Sequence, residues 1–74
     1  MTKEQIEFAN ALAGCTFVSG TGTKRFSRDM ASRAQLPEPP ALTDKQAEYL
    51  RTAVIRFRRQ ISSDVVELAI GLAP

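Results

Sequence analysis

A proline-rich segment near the middle of the chain, Leu36-Pro-Glu-Pro-Pro-Ala-Leu42, limits how the rest can fold. Three prolines in four residues remove backbone donors and hold the chain extended, so no helix continues through them. The segment is also too long and rigid for the short turn of a helix-turn-helix DNA reader. We therefore expect a stiff connector within one domain that spans residues 1–74.

The first helix has a clear start signal. Thr2 followed by Gln5 fits a capping box, in which the two side chains satisfy free backbone N–H groups. Apolar residues then recur at helical spacing, which predicts a helix over about 3–13. Gly14 follows the last of them, and we expect it to close the helix in the left-handed conformation.

The segment 15–22 can be interpreted as a short strand or as a loop. Its β-branched and aromatic start suits a strand, but one short strand has no evident partner in the chain. We therefore favour a loop that Phe17 and Val18 anchor to the core. Thr23 is then the expected cap of a second helix over about 24–35.

After the connector, Thr43 and Gln46 form another capping box. The apolar spacing that follows predicts a third helix that continues to about Ile61. Ser62 or Ser63 is the expected cap of a last helix, which is apolar on most sides and which Gly71 and Pro74 end. Such a helix is either central in the core or offers an apolar surface to another chain. The predicted fold is all-α, a small three- or four-helix bundle with a proline-rich connector.

Positive charge is concentrated in the middle of the chain, although the net charge is only +2. Residues 24–59 hold nine basic and four acidic side chains, a difference of +5, and the remaining residues sum to −3. On a continuous third helix, several residues share a surface that faces away from the apolar stripe, and with Arg56 they form our candidate protein-binding site. These residues are Arg51, Ile55, Arg58 and Arg59.

Two interpretations of this surface stay open. An isoleucine ringed by arginines has the composition of a binding hot spot. Single exposed aliphatic residues are also common, and the arginines can pair with neighbours such as Glu48 at i,i+3.

A second basic cluster lies at the start of the second helix. The free N–H groups there can hold a phosphate, with basic side chains around it. The candidate anion or nucleic-acid contacts are Lys24, Arg25, Arg28 and Arg33. The preceding Gly20-Thr-Gly22-Thr-Lys24 lacks the glycine spacing and the preceding strand of a nucleotide-hydrolysing phosphate loop, so an ordinary glycine turn is the alternative.

The residues for catalysis are few. There is no histidine, and the one cysteine, Cys15, follows a helix end, so we expect an inert thiol, no metal site and no cofactor. Tyr49 is interpreted as a core-edge residue, which leaves no aromatic platform for stacking bases. No apolar run is long enough to span a bilayer, and the N-terminus does not resemble a secretory signal. We expect a non-enzymatic cytoplasmic protein.

Two segments of the chain resemble small phage and prophage accessory proteins. They are Leu42-Thr-Asp-Lys-Gln46 with Leu50 and Arg56-Phe-Arg-Arg-Gln-Ile61, and the preceding Lys24-Arg-Phe26 with its alanine-containing helix. The resemblance covers about half of the chain, residues 24–61. It implies a non-enzymatic inhibitor of host defence in the host cytosol, of which anti-CRISPR proteins are the leading example. The basic character departs from the acidic, DNA-mimicking kind of inhibitor.

Two binding functions follow from these observations. In the first, the protein is a stoichiometric inhibitor that docks on a host nucleic-acid-processing complex through its basic helical face. In the second, helices two and three contact the phosphate backbone of nucleic acid directly, with an affinity that falls steeply with salt. The small core also makes a homodimer an option, because a domain of this length is marginally stable alone.

Overall fold

The computed structural model describes residues 1–18 and 20–72. Its helices are α1 (Lys3–Ala13), α2 (Gly22–Ala34), α3 (Asp44–Arg56) and α4 (Ser63–Gly71), and a 3₁₀ turn (Arg58–Gln60) joins α3 to α4. No strand occurs in the described residues, and the part of 15–22 that precedes α2 is loop where it is described. The predicted all-α architecture is confirmed in its four-helix form.

Both predicted capping boxes are present. At the start of α1, the Thr2 hydroxyl accepts from the Gln5 N–H at 3.1 Å, and the Gln5 side chain accepts from the Thr2 N–H at 2.9 Å. Thr43 and Gln46 repeat this arrangement at α3, with distances of 3.1 Å and 3.0 Å. Each box satisfies two backbone groups that the first turn of a helix leaves free.

The predicted start of α2 is wrong by two residues. Thr21, not Thr23, is the cap, and its hydroxyl accepts from the Lys24 N–H at 3.3 Å while it donates to the Val18 carbonyl at 2.9 Å. Thr23 lies inside the helix, where its hydroxyl is hydrogen-bonded to the Tyr49 hydroxyl at 3.0 Å. That tertiary contact accounts for the choice between the two threonines.

Two predictions on the loop before α2 are also wrong. Gly14 keeps right-handed angles (φ −86°, ψ −4°), because its N–H still reaches the carbonyls of Ala11 and Leu12. Val18 does not anchor the loop and is 78% exposed. Phe17, the other predicted anchor, is half-buried against the core.

The third helix ends at Arg56 and does not continue to Ile61 as the spacing predicts. Phe57 leaves the helical conformation at φ −100°, ψ 26°, and its ring packs edge-on against Phe17 at 4.8 Å between centroids. The chain then forms the 3₁₀ turn, so Arg58 and Arg59 do not share a helical surface with the residues of α3.

The last helix is neither fully buried nor fully exposed. Ala69 is buried, whereas Ile70 and Leu72 are about half exposed. Ser62 occupies the cap position but makes no side-chain cap bond. Gly71 is the last residue of the helix, as predicted, and Pro74 is outside the described residues. No described helix combines the length and the hydropathy needed to cross a bilayer.

All four helices contribute side chains to one core. The buried apolar residues are Phe8, Ala9, Leu12, Met30, Leu50, Ala53, Val54 and Ala69. Half-buried apolar residues from α3, α4 and the loop before α2 pack around them. A core of this size yields a domain of modest stability.

The helix directions place the start of α2 and the ends of α1 and α3 at one end of the bundle. Helices α1 and α3 run in the same direction, because the Met1 ammonium contacts the carbonyls of Pro39 and Pro40 just before α3, and Thr16 contacts Gln60 just after it. Helix α2 runs the opposite way, since its first turns line a cleft with the residues that follow α1.

We expect Thr43→Ala to lower the free energy of unfolding by about 1 kcal/mol, because the substitution removes the capping box of α3. Ser62→Ala is the matched control, since the Ser62 side chain makes no cap bond and its loss has a smaller effect. Urea denaturation of the two variants measures both values. Equal losses in the two variants would contradict this assignment of caps.

Candidate nucleic-acid interface

Two segments that are distant in the chain are joined at this end of the bundle. The Thr16 N–H donates to the Gln60 side-chain carbonyl at 2.7 Å, and the Gln60 amide donates back to the Thr16 carbonyl at 3.1 Å. Next to this pair, the rings of Phe17 and Phe57 are in edge-on contact. The loop after α1 is therefore held against the 3₁₀ turn after α3.

The first group of cations surrounds the start of α2. A cleft of about 430 Å³ lies there, and its lining consists of Gly20, Thr21, Gly22, Lys24, Arg25 and Arg28. Gly20 has a φ of 83°, a conformation that side chains other than glycine rarely adopt, and this turn directs the chain into the cap of α2. Three basic side chains thus line one concave surface.

The second group of cations surrounds the 3₁₀ turn. A cleft of about 340 Å³ is lined by Arg56, Phe57, Arg58, Arg59 and Gln60. The Arg58 guanidinium donates to the Ile55 carbonyl at 3.3 Å, near the C-terminus of α3, where a cation is favoured by the helix dipole. The three arginines are exposed.

A third cleft lies between the first group and the loop after α1. It has a volume of about 380 Å³ and is lined by Ala13, Cys15, Thr16, Phe17, Lys24, Ser27 and Arg28. Lys24 and Arg28 belong to the first group, and Thr16 is bonded to Gln60 in the second. The six cations of both groups, Lys24, Arg25, Arg28, Arg56, Arg58 and Arg59, are called the basic surface below.

Carboxylates do not neutralise the basic surface. The ion pairs of the described residues are Arg33–Asp29 at 3.3 Å and Arg51–Glu48 at 2.7 Å, and neither includes a residue of this surface. Its cations at the start of α2 oppose the helix dipole, and Lys24 repels Arg28 at i,i+4. Both effects reduce the stability of the isolated protein, and a bound anion would offset them.

The predicted sites are only partly assembled. Arg51 is half-buried and paired with Glu48, as expected if this arginine pairs with a neighbouring carboxylate instead of binding a partner. Ile55 is half-buried against the core and is not an exposed centre of an arginine ridge. Arg33 pairs with Asp29 near the C-terminus of α2, away from the other cations of that helix.

Tyr49 is the residue that the sequence interpretation missed. It is 42% exposed, and it lines a cleft together with Arg56 of the basic surface. Tyr49 is at the edge of the core, as predicted, where its ring packs on Phe26, and its exposed part lies beside a cation of the basic surface. Its position at i−7 from Arg56, on the same face of the helix, was the available signal.

The Cys15 thiol is half-buried in the loop after α1. Burial raises the pKa of the Cys15 thiol above its ordinary value, and the Cys15 Sγ contacts the Ala11 carbonyl at 3.6 Å. Within residues 1–18 and 20–72, no three Cys, Asp or Glu side chains are grouped in a way that would hold a metal ion.

Gln60→Ala removes both hydrogen bonds to Thr16, and we expect it to lower the free energy of unfolding by about 1 to 2 kcal/mol. Gln35→Ala is the matched control, because the Gln35 side chain makes no hydrogen bond among the described residues. Urea denaturation measures the free energy of unfolding of both variants. Equal losses in the two variants would show that the contact of Gln60 with Thr16 does not hold the loop.

We expect the Cys15 thiol to react with iodoacetamide at a higher midpoint pH in the folded protein than in urea. Burial disfavours the thiolate, so the unfolded chain loses its proton first, and stability falls as the pH rises through the unfolded pKa. Alkylation rates across a pH series measure both midpoints. A lower midpoint in the folded protein would identify an activated thiol instead.

No protein-family model matches the chain, and neither a curated protein nor a solved structure matches it. The features that bear on function are therefore those of the chain itself. They are a basic surface that forms no ion pair with the carboxylates in the described part of the chain, the clefts that it lines and the neighbouring Tyr49.

Proposed function

We propose that the protein binds nucleic acid through the basic surface, in the cytoplasm and without catalysing a reaction. The observation that carries this proposal is the grouping of six cations, from α2, α3 and the 3₁₀ turn, at one end of the bundle, where no carboxylate of residues 1–18 and 20–72 lies within ion-pair distance of them. Phosphate oxygens supply regularly spaced negative charge to such a surface.

The charge distribution supports a polyanion rather than a single small anion. Three of the six cations line a cleft at the start of α2 and the other three line a separate cleft at the 3₁₀ turn, so no one small ion contacts all of them. Nucleic acid carries one charge per nucleotide and releases condensed counterions when cations replace them. The gain from that release adds up over several contacts, whereas each single contact with one phosphate is weak.

Other carboxylates lie at the opposite end of the bundle. Glu4, Asp44 and Glu48 line a cleft near the starts of α1 and α3. The protein therefore has a basic end and an end with acidic side chains, although its net charge is only +2. An approaching polyanion is attracted more strongly to the basic surface than to the opposite end, where these carboxylates offset the charges of Lys3, Lys45 and Arg51.

A second candidate is a protein partner, namely docking on a host nucleic-acid-processing complex by a phage-type inhibitor of the anti-CRISPR kind. Ile70 near the end of α4 and Leu72 just after it favour this candidate, because both are about half exposed and exposed apolar side chains occur at protein interfaces. A homodimer through the same residues belongs to this candidate. Leu72 lines the cleft near the starts of α1 and α3, so a partner or a second copy that docks there does not occupy the basic surface.

We expect the affinity for a single-stranded oligonucleotide to fall linearly with salt on logarithmic axes. If all six cations contact phosphates, the slope is about −4. Arg58→Gln with Arg59→Gln makes the slope shallower by about 1.4, because two counterion-releasing contacts are lost. Fluorescence anisotropy across a salt series measures both slopes.

Lys3→Gln with Lys45→Gln is the matched control. It removes the same charge from the starts of α1 and α3, at the far end of the bundle, and leaves the slope unchanged. Absence of binding at low salt would reject the proposed function and leave the protein partner. Equal changes of the salt slope in the two double variants would show that net charge, and not the basic surface, determines binding.

A further inference from the structure

A fourth cleft lies beside the basic surface, and its lining contains one cation, Arg56, and an aromatic ring. It lies between α3 and the start of α2, has a volume of about 340 Å³, and is lined by Thr23, Tyr49, Thr52, Ala53, Ile55 and Arg56. Its volume falls in the range of small-ligand sites, about 300 to 1,000 Å³. The lining combines one aromatic ring, two aliphatic side chains, two hydroxyl-bearing side chains and one cation.

The Tyr49 side chain is held in one position before any ligand arrives. Its hydroxyl is hydrogen-bonded to the Thr23 hydroxyl at 3.0 Å, and its ring packs against Phe26 with 4.4 Å between centroids. The residue nevertheless remains 42% exposed. A ring that is fixed and still accessible loses little conformational entropy when a second ring stacks on it.

The geometry of α3 relates this ring to a cation. Tyr49, Thr52, Ala53 and Arg56 have the spacing i, i+3, i+4, i+7 and share one face of the helix. Arg56 is about 10 Å from Tyr49 along the axis, and side chains tilt toward the helix N-terminus. The Arg56 side chain therefore leans back toward the ring, and the same arginine also lines the cleft at the 3₁₀ turn.

We propose that this cleft accepts a nucleobase from a single-stranded nucleic acid whose backbone lies on the basic surface. This inference rests on the proposed function. The base stacks on Tyr49 over the aliphatic side chains of Ala53 and Ile55, and Arg56 contacts a phosphate of the same strand. Bases in a duplex are already stacked on one another, so a single strand is the preferred ligand. Stacking does not distinguish strongly among bases, so recognition is tolerant of sequence.

The chain contains one tyrosine and no tryptophan, so its intrinsic fluorescence reports on Tyr49 alone. We would titrate the whole protein at low salt with a thymidine oligonucleotide of about 12 nucleotides, a length in the range that single-strand sites cover. An abasic strand of the same length has the same phosphates and no bases. A duplex of that length is the third probe.

The expected result is a saturable quenching of tyrosine fluorescence by the thymidine strand, with the same midpoint as binding measured by anisotropy. The abasic strand binds about 5- to 100-fold more weakly, as expected for the loss of one stacked base, and does not quench. The duplex binds more weakly than the single strand.

Two substitutions test the ring directly. Tyr49→Leu removes the aromatic face, and Tyr49→Phe keeps the face while it removes the hydroxyl that contacts Thr23. We expect the phenylalanine variant to bind the thymidine strand at least about five times more tightly than the leucine variant. Thermal unfolding of both variants shows whether they fold, and the comparison of strands on the unaltered protein does not depend on them.

The possible outcomes separate this inference from the function on which it rests. If thymidine and abasic strands bind equally and neither quenches, the basic surface binds phosphates and the nucleobase site is overturned. If the duplex binds as tightly as the single strand, the site is also overturned. If none of the probes binds at low salt, the proposed function fails and the nucleobase site fails with it.

Discussion

The pair of hydrogen bonds between Gln60 and the backbone of Thr16 holds the loop after α1 against the 3₁₀ turn, at the end of the molecule that carries the basic surface. The two residues are 44 positions apart, and each is next to a phenylalanine or an arginine that belongs to the same region. The contact of Phe17 with Phe57 supports the pair from the apolar side. Thr16 lines one cleft at this end and Gln60 lines another, so the junction fixes the loop after α1 and the 3₁₀ turn relative to each other.

The helix directions explain why the cations at this end differ in their electrostatic environment. Arg56 lies at the C-terminus of α3, where the helix dipole favours a positive charge. Lys24 and Arg25 lie in the first turn of α2, where the dipole is unfavourable and no acidic residue compensates for it. The start of α2 is therefore the part of the surface where a bound phosphate improves the local electrostatics most.

Local signals were sufficient to predict much of the fold, whereas tertiary contacts decided the rest. The capping boxes at Thr2 and Thr43 involve residues three positions apart, so the sequence alone located both helix starts. The end of α3 depends on Phe57 packing against Phe17, forty positions away, which periodicity does not reveal. The cations of the candidate site could be identified from the sequence. Their grouping and the exposure of Tyr49 could not, because both depend on how α2 packs against α3.

The junction at Thr16 and Gln60 also has a consequence for the lifetime of the protein. In the unfolded chain the basic side chains are dispersed along the sequence, so a polyanion that requires all of them binds only the native form. Such a ligand shifts the folding equilibrium toward the native form by mass action. Because the core is small, that shift is a large fraction of the total stability, and with the proposed function degradation of the chain by proteases is slower in the presence of nucleic acid than without it.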